Sequence, residues 1–87
     1  MNDIDKKILE LIGFMIYHKY VPSIKKFCAE IEMPEQTISK IKKGTAHFTV
    51  LQIESICKRF GVNANWIFGI EDEIFNNVES KELEENN

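Results

Sequence analysis

The chain has 87 residues, a formal net charge of −3 and 44% hydrophobic residues. That length fits one domain, and so short a chain buries only roughly three-fifths of its unfolded surface, so its core is modest and a second copy would add cover. Two prolines and four glycines exclude a low-complexity chain, and two cysteines without a C-x-x-C spacing give no metal or redox motif.

No apolar run approaches membrane-spanning length, and the opening M-N-D-I-D-K-K lacks a signal-peptide pattern. A reducing cytoplasm without membrane contact is therefore expected. The negative charge at first argues against nucleic acid, but its distribution does not. Residues 1–70 carry ten Lys/Arg against seven Asp/Glu, while residues 71–87 carry one Lys against seven Asp/Glu. The first part is mildly basic and the acid lies in the C-terminal segment. Basicity this weak does not sustain binding through phosphate attraction alone.

In chain order, residues 4–18 read as a first helix, with Ile4, Ile8, Leu11, Ile12, Met15 and Ile16 in one stripe and Asn2 or Asp3 as its cap. Val21-Pro22 connects it to a second helix. Ser23 is the N-cap there, and Ile24, Phe27, Cys28 and Ile31 have the i, i+3, i+4, i+7 spacing of one buried face. Glu32-Met33-Pro34 breaks this helix, because Pro34 disfavours helical backbone at Met33. Pro34 suits the first turn of a third helix over 34–43, closed by Gly44 in a left-handed cap.

On a helical wheel, Ile38 and Ile41 of the third helix share one side with Pro34. Gln36, Ser39, Lys40 and Lys43 fall opposite, with Glu35 and Lys42 on a flank. An amide, a hydroxyl and lysines thus face outward from two isoleucines, the chemistry a major-groove reading helix needs.

After a short T-A-H-F loop, Thr49 and Gln52 form a capping box for a fourth helix carrying Val50, Ile53, Ile56, Cys57 and Phe60. Lys58-Arg59 suits its last turn and Gly61 stops it. Asn63 caps a short fifth helix through Phe68, and Gly69 ends it. Asp72 is placed to cap a short sixth helix near 73–79, using Ile74, Phe75 and Val78. Beyond Ser80 the charged tail reads as disordered.

The stretch Ser23–Gly44 resembles the helix-turn-helix of phage-repressor, Cro and Xre-like regulators, through F-C-A-E-I, T-I-S-K-I and the closing glycine. I-x-x-I-C-K-R-F-G-V-N-A-N-W-I-F-G, Ile53 to Gly69, resembles that family's fourth helix, Gly-Val turn and tryptophan-bearing fifth helix. The resemblance is strong over about half the chain and extends in pattern over residues 4–70. It implies an all-α, five-helix, lambda-repressor-like domain over 1–70, followed by the acidic segment 71–87. It also implies a homodimeric, sequence-specific regulator of transcription, repressor-like and phage-related, that binds double-stranded DNA.

Carried onto this sequence, Gln36 and Lys40 are the expected base contacts, with Thr37 and Ser39 adding hydroxyls to the same helix. Glu35 either accepts from a cytosine amino group or favours the helix N-terminus; the second reading leads. Lys42, Lys43, Thr45 and His47 are expected at phosphates, and Ser23 and Lys25 supply donors at the start of the second helix.

Two positions depart from the family. Ile24 stands where a phosphate-touching glutamine is usual, and Glu32 stands where glycine is favoured. With the acidic balance, they favour an alternative: a helix-turn-helix interaction module, or antitoxin-like partner of another protein, with weak or no DNA binding.

Trp66, Ile67 and Phe68 are three large apolar residues in a row, which one short helix cannot all bury. Trp66 is expected in the core. Ile67, Phe68, Ile70, Ile74 and Phe75 are the expected dimer patch, unless the C-terminal segment covers them. Cys28 and Cys57 read as small buried thiols, and His18 and His47 lack metal-ligand spacing. No catalytic constellation stands out, so no enzyme activity and no cofactor are expected.

Overall fold

The computed structural model describes residues 1–76. Five helices follow one another: α1 (Asp3–Tyr17), α2 (Ile24–Glu30), α3 (Gln36–Lys43), α4 (Val50–Phe60) and α5 (Ala64–Ile67). The domain is all-α, as its periodicity predicts. Among the described residues the sole extended pairing is a bridge between Val62 and Phe75.

Each boundary has a local cause. The Asn2 side chain accepts from the Asp5 N–H at 2.8 Å, and the Ser23 hydroxyl oxygen accepts from the Lys26 N–H at 3.1 Å. Thr49 and Gln52 complete the capping box in both directions, at 2.9 and 3.1 Å. Asn63 caps α5 through the Asn65 N–H at 3.0 Å. Gly44 and Gly61 close α3 and α4 with φ of 81° and 67°, where a Cβ would be strained.

α3 begins at Gln36 rather than at Pro34. Pro34 and Glu35 instead form a tighter turn, in which their carbonyls accept from Thr37 and Ile38 at 3.0 and 3.1 Å. Glu32, between α2 and α3, has φ of 54°. This is the left-handed conformation that makes glycine usual here, held by a residue with a Cβ at a cost of roughly 1–2 kcal/mol. Its N–H still reaches the Ala29 carbonyl at 3.2 Å, and that of Met33 reaches Cys28 at 2.9 Å, so the turn keeps its hydrogen bonds.

The core takes Ile8, Leu11, Ile12 and Met15 from α1, Phe27 and Cys28 from α2, and Ile38 and Ile41 from α3. Ile56 of α4, Trp66 and Ile67 of α5, and the connecting residues Val21, Ile31, Met33, Phe48 and Val62 complete it. Phe27 stacks on Phe60, centroids 5.0 Å apart, joining α2 to α4. Lys7 lays its ammonium 4.6 Å from the Trp66 ring centroid. Arg59 and Lys26 both pair with Glu30, and these contacts, Lys26 first, hold its carboxyl below the usual range.

Residues 73–76 are not helical, which corrects the expected sixth helix as far as the described residues reach. They run back as a strap across the α4–α5 turn. The Asn63 N–H reaches the Ile74 carbonyl at 2.8 Å, and the Asn76 N–H reaches the Gly61 carbonyl at 2.9 Å. Backbone partners already waiting at Gly61 and Asn63 satisfy the segment better than a short isolated helix would. The remainder of the expected helix and the expected disordered tail lie outside the described residues. Among the described residues no helix is long and apolar enough to cross a membrane.

Candidate nucleic-acid interface

α3 is anchored from behind by Ile38 and Ile41, which are 3% and 0% exposed. The helix therefore cannot roll, and its opposite side is fixed toward solvent. Gln36, Ser39, Lys40, Lys42 and Lys43 are all exposed there, and Thr37 is half-buried at the edge. Lys40, Lys42 and Lys43 occupy the last turn, where cations complement the partial negative charge of the helix C-terminus. Ion pairs among the described residues join Lys26, Arg59, Lys58 and His47 to carboxylates. Lys25, Lys40, Lys42 and Lys43 take part in none of these. Their charge is uncommitted within the described fold.

Glu35 is exposed at the start of α3. Burial first and the Glu35 charge second push the Cys28 thiol above its ordinary value, so that carboxylate influences the α2 side of the turn. Burial pushes the Cys57 thiol up as well. Both thiols are free; Cys28 is buried and Cys57 half-buried. Ser23 is committed to its capping bond with Lys26, so what α2 offers outward is its exposed Lys25. Ile24 is half-buried and packs on the core, and no polar side chain replaces it there.

Past Gly44 the chain forms the loop that leads to α4. Thr45 is folded back onto α3: its N–H and its hydroxyl both donate to the Lys40 carbonyl, at 2.9 and 3.1 Å. His47 is more firmly committed than expected. Its Nδ1 lies 2.6 Å from Oδ2 of Asp5, whose Oδ1 accepts from the Phe48 N–H at 3.1 Å. Asp5 is 1% exposed, the one buried charged residue described, while the His47 side chain is 59% exposed. One carboxylate on α1 thus pins the loop beside α3, and the imidazole stands between that carboxylate and solvent.

Sequence reasoning missed Asp5. A signal existed: Asp5 lies at i−3 and i−7 from Ile8 and Ile12, on the buried stripe of α1. An acid in line with a core face calls for a buried partner. Its partner lies at |i−j| of 42, beyond any local pattern.

The expected dimer patch divides. Ile67 is 1% exposed and belongs to the core, which corrects its place in that patch. α5 is only one turn long, so Trp66 and Ile67 both turn inward and Phe68 is left out. Phe68 and Ile70 are 50% and 72% exposed. Ile74 and Phe75 are half-buried against the core, with the Phe75 ring 5.5 Å from Tyr20 and 6.2 Å from Phe14, so the strap uses much of their surface internally. Among the described residues no group of three or more His, Cys, Asp or Glu is placed to hold a metal ion.

Comparison of the chain with family models, curated proteins and solved structures gave no match.

Proposed function

We propose that the chain is a sequence-specific DNA-binding regulator that reads the major groove with α3. One observation carries the reading: α3 has a single anchored apolar side, and the opposite side presents Gln36 and Ser39 ahead of Lys40 and Lys43, exposed and without carboxylate partners among the described residues. Gln36 opens the helix and is the expected base-edge contact, since glutamine can bond adenine through two positions at once. Lys43 closes the helix beside Gly44, where the chain would pass the sugar–phosphate backbone. Lys25 and the α2 N-terminus would flank it, and a cytoplasmic location accompanies this reading.

A homodimer held through Phe68 and Ile70 would set two copies of α3 about 34 Å apart, one DNA turn. The second reading, a protein-interaction module, draws on the exposed Tyr17, Tyr20, Val50 and Leu51, which are 81%, 61%, 81% and 73% exposed.

Binding of two variants separates reading from holding. A preferred site is first selected from a random duplex pool. Gln36→Ala should cost about 1–3 kcal/mol on that site and relax the preference at one base pair. Lys43→Ala should weaken all sequences alike and lower the salt slope by about one. Neither residue supports the core, so helical content should stay unchanged. If Gln36→Ala weakens selected and scrambled duplexes equally, α3 does not read bases through that residue. If neither variant changes binding, the interaction-module reading takes over.

A further inference from the structure

We infer that His47 makes DNA binding proton-linked: it contacts phosphate only as the imidazolium, so the interface takes up a proton when it closes. This rests on the DNA-binding reading of α3 and adds a pH response to the same site.

The geometry fixes the chemistry of the ring. A carboxylate only accepts hydrogen bonds. Asp5 faces Nδ1 at 2.6 Å and already takes the Phe48 N–H on its other oxygen, so Nδ1 carries the proton and donates to Oδ2. In the neutral ring the proton on Nδ1 leaves Nε2 as a bare lone pair. His47 makes no further hydrogen bond to the described residues, and its side chain is 59% exposed. A lone pair repels a phosphate oxygen. The imidazolium instead donates at both nitrogens and bridges two anions, Asp5 behind and phosphate in front.

The surroundings leave His47 in charge of this response. α1 contributes Asp5. At the start of α4 the neutral capping pair, Thr49 and Gln52, is occupied with each other's backbone. From α3 the nearest lysine in sequence is Lys43, which is in no ion pair among the described residues and favours the approach of phosphate at any pH. The other histidine, His18, belongs to an aromatic cluster with Phe14, Tyr17 and Tyr20. The sign follows: DNA binds the protonated form more tightly, so affinity rises as pH falls.

The test measures binding of the full chain to a labelled random-sequence duplex at about pH 5.5 and about pH 8, each over several salt concentrations. The wild type should bind roughly tenfold tighter at the lower pH. Its log–log salt slope should be steeper there by about 0.9 per protomer, the increment for one added phosphate contact. His47→Gln keeps a donor but does not titrate, and should lose most of this pH response. Protection of the Phe48 amide in that variant checks that the loop is still pinned by Asp5. Nitrogen-15 shifts of the imidazole should show both nitrogens protonated when DNA is bound. An unchanged pH response in His47→Gln overturns the proposal. So does a flat wild-type profile alongside a Lys43→Ala variant that still loses affinity, and this outcome leaves α3 as the DNA surface. Failure to bind any duplex at either pH removes the DNA reading and the proton linkage together.

Discussion

Phe27→Ala should cost about 3–5 kcal/mol of folding stability, the range for truncating a fully buried phenylalanine. Phe27 is 0% exposed and stacks on Phe60 at an interplanar angle of 11°. Truncation removes the buried ring, leaves a cavity between α2 and α4, and breaks an aromatic pair worth about 0.5–1.5 kcal/mol beyond its burial. A domain this small holds only about 5–15 kcal/mol in total, so the loss takes a large share. The thermal midpoint should fall by roughly 15–30 °C. Phe68→Ala, at a half-exposed ring outside the core, should shift it far less. Comparable losses in the two variants, followed by circular dichroism, would mean that the α2–α4 junction is not the central support.

Asp5→Ala should have the next largest effect, about 2–3 kcal/mol. The change removes the acceptor for the Phe48 N–H and for His47, and the N–H is left in a buried setting without a partner. Hydrogen exchange gives the sharper readout. The Phe48 amide should lose protection well before the amides of α1, because the loop after α3 is freed while the helix remains capped by Asn2. Retained protection at Phe48 with a full loss of stability would mean that Asp5 supports α1 rather than the loop. The loop it holds leads directly out of α3, so the pin also bears on the proposed DNA surface.

Much of this arrangement was legible in the sequence, for physical reasons. Ser23, Thr49 with Gln52, and Asn63 act on donors two or three residues away, so their caps show in the local order of residues. The stripe of α1 and the two isoleucines of α3 repeat at helical spacing; Ile8, Leu11, Ile12, Met15, Ile38 and Ile41 are buried, and Ile4 and Ile16 half-buried at the ends of the stripe. Glu32 stands where glycine is favoured, and it does hold a positive φ.

What escaped depends on contacts distant in sequence, or on choices between equals. Trp66, Ile67 and Phe68 are all apolar, and only the short span of α5 decides that Phe68 is left outside. Ile74 and Phe75 have a spacing compatible with a helix, yet the open carbonyl of Gly61 and N–H of Asn63 draw that segment into a strap. Asp5 lies on the buried stripe of α1, but its partner His47 is 42 residues away and no local pattern names it. The exposed face of α3 was legible because burial fixes it from behind; its ligand is a matter for binding experiments.

The most direct test of the central claim is chemical-shift mapping of the nitrogen-15-labelled chain titrated with duplex DNA. The predicted result is a continuous set of perturbed amides over Gln36–Lys43, extending to Thr45, His47 and Lys25, and weakening as salt is raised. Tyr17 and Tyr20 should stay unperturbed. Perturbations centred on Tyr17 and Tyr20, or no perturbation at low salt, would contradict the assignment of α3 as a DNA-reading helix.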